Sequence, residues 1–268
     1  MILAASFPLM AHAQAAARPN SGALTFTGGL DLPTVYVFRG LVQETDPSFT
    51  MWPYGDLGIA LKSGDGAVKS VGVNFGVWNS LMTGSSGSDG PSGHSHYEED
   101  FYAALSLGLS KNISVATTYT AYSSPNLMFN TVNEISFKVS QSSSINPYGI
   151  LAFEVGEFGA DRGVNKGTYL ELGAGPTFAL GSKATVTVPV KLGLSLNNYY
   201  ELNGEDHSFG FFDIGGLVTL PISVIPISFG LWNIHGGIDF LTFGDTTKEF
   251  NQGDGSKIVG LVGIGLTY

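Results

Sequence analysis

"KIVGLVGIGLTY", Lys257 to Tyr268, closes the chain. Side chains on a strand alternate between faces. Val262, Ile264, Leu266 and Tyr268 therefore share one side, and Gly263, Gly265 and Thr267 share the other. One face is bulky and apolar; the other is nearly empty. A soluble antiparallel sheet can bury an apolar face, but its opposite face then carries solvated polar side chains, and glycine does not solvate a surface. The pattern fits a membrane-spanning β-barrel, with lipid against the bulky face and a crowded interior against the small one.

Composition points the same way. Charged residues make up 13% of the 268, against roughly 25% in soluble globular chains. No run of about 20 apolar residues offers a transmembrane helix. Apolar residues are instead spread over short segments among 37 glycines. A closed barrel is the other structure that satisfies every backbone hydrogen bond within lipid.

The same parity holds upstream. Leu24, Phe26, Leu30, Leu32, Tyr36 and Phe38 oppose Thr25, Thr27, Gly29, Asp31 and Arg39, which reads as a first strand from Leu24 to Arg39. Val186, Val188, Val190, Leu192, Leu194 and Leu196 oppose Thr187, Pro189, Lys191, Gly193, Ser195 and Asn197. Read throughout, the chain gives an all-β, transmembrane, antiparallel up-and-down barrel of about twelve strands over residues 23–268. Connections alternate between short ("SGDGA", "SKN", "GSKA") and long ("TGSSGSDGPSGHSH", "EFGADRGVNKG", "GDTTKEFNQGDGS"). Short turns belong on the periplasmic side and long loops outside. Pro176 and Pro189 fall inside strand patterns, where proline marks an edge or a bulge.

Aromatic residues lie where two interfacial girdles are expected. Tyr36, Phe38, Phe158, Phe240 and Phe243 end strands on the long-loop side. Phe26, Tyr148, Phe178, Phe229, Trp232 and Tyr268 lie near the other rim.

At the other end of the chain, "MILAASFPLMAHAQA" is apolar from Ile2 to Met10 and then offers Ala11-His12-Ala13, an A-x-A-like cleavage site. Residues 1–22 thus read as a residual signal peptide without its basic n-region, followed by a linker. Export and barrel fold together give the bacterial outer membrane as the expected location.

The charged residues define the candidate site. Asp31, Asp56, Glu134, Lys138, Glu154, Glu171, Lys191, Asp213 and Asp239 all have inward parity, as do Arg39 and His235. A cation on the lipid face at the bilayer midplane costs about 2–4 kcal/mol, so this placement itself supports the assignment of faces. Glu171 and Lys191 flank the "GSKA" turn at similar distances and read as a direct or diagonal cross-strand pair. Glu134 and Lys138 are four apart on one strand, too far to bridge each other. Two readings of the set stay open: an acid-lined open lumen that favours cations, or charges paired with one another to hold a filled interior together.

Several classes are excluded or disfavoured. There is no cysteine, hence no disulfide and no thiolate chemistry. The formal charge of −10 argues against nucleic acid. No G-x-S-x-G nucleophile motif occurs. The histidines after the leader are His94, His96, His207 and His235, with "HSH" in the longest loop read as solvated.

"YVFRGLVQETDPS", Tyr36 to Ser48, followed by "GVNFGVWNS", Gly72 to Ser80, resembles the start of the proteobacterial porin family labelled TorF or Gcw_chp. Tyr36, Phe38, Arg39 and Gly40 match the first motif, and Trp78 and Ser80 the second; "SFTMWPYG" after Pro47 departs from the pattern. The resemblance implies an outer-membrane barrel with a channel role.

The expected function is a narrow passive channel, weakly cation-preferring, for ions or small solutes. It is expected not to be an enzyme and to need no cofactor or metal. The alternatives are a non-conducting structural or adhesive barrel and an outer-membrane lipid-modifying enzyme. Expected partners are outer-membrane lipid, divalent cations at the acidic loops, and the barrel-assembly machinery through the strand ending at Tyr268.

Overall fold

A computed structural model describes residues 20, 22–88, 95–110, 112–160, 165–181 and 183–268. The expected signal peptide lies outside the described residues apart from Asn20 and Gly22. The described β-segments, in chain order, are β1 (Leu24–Pro33), β2 (Val37–Phe38), β3 (Leu41–Val42), β4 (Thr50–Ser63), β5 (Ser70–Met82), β6 (His96–Gly108), β7 (Ile113–Ser123), β8 (Val132–Gln141) and β9 (Tyr148–Glu154). Then follow β10 (Thr168–Ala174), β11 (Thr177–Leu180), β12 (Ala184–Thr187), β13 (Val190–Asn197), β14 (Glu201–Leu202), β15 (Glu205–Asp206), β16 (Phe209–Pro221), β17 (Leu231–Phe243) and β18 (Ser256–Thr267). Helices α1 (Ser85–Ser88) and α2 (Asp245–Phe250) lie in two of the long loops.

With β10 and β11 counted as one broken strand, and β12 and β13 as another, these segments make a closed antiparallel barrel of twelve strands. Closure is made by the first and last strands, from Thr27 opposite Thr267 to Pro33 opposite Leu261. Every strand hydrogen-bonds to two neighbours over most of its length, so the barrel wall leaves few sheet edges.

The breaks fall at the two prolines. Ala174 faces Val190 and Thr177 faces Thr187, so Gly175-Pro176 lies opposite Val188-Pro189. Neither proline has an N–H to give the ladder, but each carbonyl still accepts: Pro176 from Val188 N at 3.0 Å, and Pro189 from Gly215 N at 2.9 Å. Pro176 sits where its strand leaves β9 and becomes an edge, a position that tolerates proline.

The two faces separate as the parity requires. Val262, Ile264, Ile238, Ile234, Phe101, Leu105, Phe75 and Leu172 are exposed on the outside of the barrel. Asp31, Glu134, Glu171, Lys191, Asp213 and Asp239 are buried within it.

Along the interior, burial is graded. On β1 the inward side chains run from partly exposed Thr25 and Thr27 to buried Asp31 and Pro33. On β4 they run from exposed Ala60, through half-buried Asp56, to buried Trp52 and Thr50. On β5, half-buried Asn74 gives way to buried Trp78, Ser80 and Met82. Solvent therefore enters from the short-turn end, while the half beneath the long loops is filled.

The first strand is shorter than its alternation implies. It stops at Pro33 rather than Arg39, and the chain then turns into the barrel. Tyr36 is completely buried and Phe38 packs against Tyr122, so neither belongs to a lipid-facing girdle. Phe243 is also buried, and Tyr148 points inward to Glu171. Phe26, Phe178, Phe229 and Tyr268 remain exposed near the short-turn rim, as expected.

Candidate functional site

The filled half of the lumen is built around one hairpin. Val37 pairs with Val42 and Phe38 with Leu41, leaving Arg39-Gly40 as a two-residue turn. Both turn residues have positive φ, 47° and 86°, as a type I′ hairpin needs. Gly40 serves twice, because a Cβ there would also press to 3.1 Å from the Phe211 side chain.

Hydrogen bonds from four loops and strands fasten this hairpin. Tyr200 Oη donates to Arg39 O at 2.9 Å, and Asn251 Nδ2 to Gly40 O at 2.7 Å. Asn251 Oδ1 accepts from Val42 N at 2.8 Å, and Tyr97 Oη donates to Gln43 Oε1 at 2.6 Å. The Arg39 guanidinium reaches across the lumen to Glu134 on β8. Nη1 donates to Oε2 at 2.6 Å and Nη2 to Oε1 at 2.9 Å. That is the paired fork geometry that makes arginine–carboxylate contacts strong and directional. The guanidinium carbon also lies 4.1 Å from the centre of the Tyr169 ring, and Nη1 donates to Tyr199 Oη at 2.8 Å. Cation–π stacking and a hydrogen-bonded carboxylate together compensate an arginine removed from water.

Aromatic side chains fill the space around the hairpin. Tyr36 lies 5.4 Å from Trp52 and 5.3 Å from Trp78, centre to centre, and Tyr97 packs on its other side at 6.2 Å. On the opposite wall Tyr169, Tyr199 and Tyr200 pack edge-on or tilted. Beneath the hairpin is a cavity of about 70 Å³, lined in part by Arg39, Thr118, Glu134, Lys138, Glu171, Lys191 and Asp213.

The remaining expected residues all point inward and most are already engaged. Lys191 faces Asp213 in register, with Nζ 2.8 Å from Oδ2. Glu171 accepts from Tyr148 Oη at 2.8 Å and Tyr169 Oη at 2.7 Å. The register sets Lys191 opposite Gly173, two residues from Glu171, so the Glu171–Lys191 relation is diagonal. Asp56 accepts from Asn74 Nδ2 at 2.6 Å and Tyr102 Oη at 2.9 Å.

Glu154 takes two backbone N–H groups, Ala160 and Gly167, both at 2.6 Å, and so ties down the loop after β9. His235 pairs with Asp31, Nε2 to Oδ1 at 2.8 Å, rather than with Asp239 on its own strand. Asp239 is buried opposite Gly215, whose missing side chain leaves room for its carboxylate. Lys138 lies over the Tyr148 ring at 4.8 Å.

Two inward acids at the start of β6, directly after the long Gly/Ser loop, were not among the expected site residues. The strand begins at His96, and Glu98 and Asp100 are buried on its inner face. Their parity with Tyr102 and Ala104 was the available signal. Of the loop histidines, His94 is outside the described residues. His96 hydrogen-bonds Asn79 Oδ1 at 2.8 Å on the outer wall. His207 hydrogen-bonds the fully buried Thr246 at 2.9 Å.

No family model matches the chain, and no curated protein matches it in sequence. Among solved structures, the NanC porin is similar at 12% identity and a TM-score of 0.43, over 91% of this chain and 99% of that one. The outer membrane phospholipase A from Escherichia coli is similar at 12% identity and 0.48, over 90% and 92%. The translocator domain of the autotransporter NalP from Neisseria meningitidis is similar at 12% and 0.39, over 92% and 89%. A porin, an enzyme and a translocator thus share this degree of likeness, and at scores below 0.5 nothing about this chain rests on it. This chain is a closed twelve-strand barrel, apolar outside, with charged residues buried inside and one half of its lumen filled by the Arg39 hairpin and the aromatic side chains around it.

Proposed function

We propose that this chain is an outer-membrane barrel acting as a narrow passive channel for ions or small solutes, and that the Arg39 hairpin holds it shut. The apolar outer face supports the membrane setting: leaving so many large aliphatics in water is unfavourable at roughly 25 cal/mol per Å². The long loops then face outward and the solvated half of the lumen opens to the periplasm.

The observation that carries the channel reading is the nature of the seal. One hairpin, with the wall side chains packed around it, fills that half of the lumen. The hairpin is not a strand of the wall, so it can leave without breaking the ladder. Planar-bilayer recording tests this. The wild type is expected to be mostly silent, and a variant with residues 35–43 replaced by a short Gly/Ser linker to show stable conductance steps. A folded deletion variant that stays silent overturns the proposal.

A non-conducting structural barrel is the second reading. The tight Tyr36–Trp52–Trp78–Tyr97 cluster favours it, since a plug built like a protein core is costly to extract. The same recording separates the two.

A further inference from the structure

We propose that Glu98 and Asp100, with the hydroxyls of Ser80 and Tyr36, form a buried site for one hard divalent cation of calcium's kind in the filled half of the lumen. The two acids lie two residues apart on the inner face of β6, about 7 Å between Cα atoms. Ser80 on β5 stands directly across from Glu98, and Trp78 from Asp100; antiparallel partners are only about 4.5–5.5 Å apart at Cα. Tyr36 precedes β2, and its ring packs 5.3 Å from that of Trp78, centre to centre. The Glu98 carboxylate lies within hydrogen-bonding reach of both the Tyr36 hydroxyl and the Asp100 carboxylate. Even so, Tyr36 Oη and Asp100 Oδ1 form no hydrogen bond.

What marks the place is negative charge without a counter-charge. Both acids are buried, and neither forms an ion pair with any described residue. Arg39 is committed to Glu134, and Glu134 and Glu99 act on Asp100 as further like charges. Asp100 Oδ1, Ser80 Oγ and Tyr36 Oη are buried without partners, as are Thr50 Oγ1 and the Nε1 atoms of Trp52 and Trp78 beside them. Six of the seven such side-chain atoms among the described residues gather here, so the shortage is local rather than spread through the lumen. Ser80 and Tyr36 are completely buried.

Two carboxylates held together away from water repel one another, and each buried oxygen without a partner is unfavourable. One divalent cation answers both. A proton shared by the acids relieves the repulsion but leaves the hydroxyls of Ser80 and Tyr36 as they are, and a monovalent ion leaves one charge uncompensated. Calcium takes about six to eight oxygens in a flexible shell, carboxylates bidentate among them, whereas magnesium demands a tight octahedron. The two carboxylates, each with two oxygens, and the two hydroxyls approach calcium's lower figure, and waters in the shell accept from the indole N–H groups. The site ties the chain before the hairpin to β5 and β6 and does not depend on whether the barrel ever conducts.

The test is terbium luminescence from the detergent-folded barrel, refolded in EDTA and then freed of it. Terbium accepts calcium's oxygen ligands, and excitation through Trp52 and Trp78 reports an ion beside them; Trp232 lies at the other end of the barrel. In wild type, indole-excited emission is expected to saturate at a single ion per chain and to be displaced by calcium but not by sodium. Calcium is also expected to raise the thermal unfolding midpoint by several degrees, as a ligand of the folded state does. Glu98→Gln and Asp100→Asn each lose both effects, while Asp254→Asn, in an exposed loop, keeps them. No saturable emission, emission unchanged in Asp100→Asn, or a midpoint that responds to pH and not to calcium each overturns the proposal. If the two lumen variants do not fold, the anomalous terbium signal in wild-type crystals decides: between Glu98 and Asp100 it supports the site, and elsewhere alone it overturns it.

Discussion

Arg39 and Glu134, 95 residues apart in sequence, meet inside the barrel through two hydrogen bonds of 2.6 and 2.9 Å. The contact joins a hairpin that belongs to no barrel strand to the wall on the far side. It is where the structure invests a buried ion pair, and single-partner removal is the informative perturbation. Glu134→Gln and Arg39→Met each strand a charge in the lumen and are expected to destabilise the folded barrel by about 3–5 kcal/mol, read by urea unfolding in lipid vesicles. The double variant Arg39→Met/Glu134→Gln strands none and is expected to lose less than either single variant.

Lys191 and Asp213 test the same principle without involving the hairpin. The pair lies between two wall strands, with Asp213 1% exposed. Lys191→Met is expected to cost about 3–5 kcal/mol, and Lys191→Met/Asp213→Leu substantially less. Neither change moves the hairpin, so conductance is expected to stay at the wild-type level.

Asn251 holds the hairpin at two points, from Val42 N and to Gly40 O. Asn251→Ala leaves a backbone donor and a backbone acceptor without partners, at about 1–3 kcal/mol each. The loss is expected to be local. Hydrogen exchange of residues 37–42 should quicken while β16 to β18 stay protected, and uniform quickening across the barrel contradicts a separately fastened plug.

On the outer wall, Val262→Lys places a cation against hydrocarbon and is expected to cost about 2–4 kcal/mol in a bilayer. Thr219→Lys, one wall away with inward parity in the solvated half, is expected to cost under about 1 kcal/mol. Vesicle refolding titrations compare the two.

The twelve strands were legible because lipid and lumen impose opposite demands on alternate residues, and Val262, Ile264, Gly263 and Gly265 record both. The hairpin was not legible for the same reason. Tyr36 and Phe38 continue the parity of Leu30 and Leu32, and a large aromatic suits a lipid interface and an interior plug equally well. Arg-Gly is also a weak hairpin signal beside Asn-Gly or Asp-Gly.

The inward position of the charged set followed from parity, but partner choice did not. Lys191 can reach toward Glu171 or Asp213, and the register past the prolines at 176 and 189 decides it. Asp31 and His235 are 204 residues apart and become neighbours only because β1 and β17 flank β18. Glu98 and Asp100 were hidden by a loop composition that runs up to the strand's first residue.

Whether hydrocarbon surrounds one half of every strand and the protein's own interior the other is read by a spin-label scan from 258 to 267 in lipid vesicles. Collision rates with dissolved oxygen are expected to alternate with period two, high at 258, 262, 264 and 266 and low at 259, 261, 263 and 265. A flat profile, or maxima at the odd positions, contradicts the account.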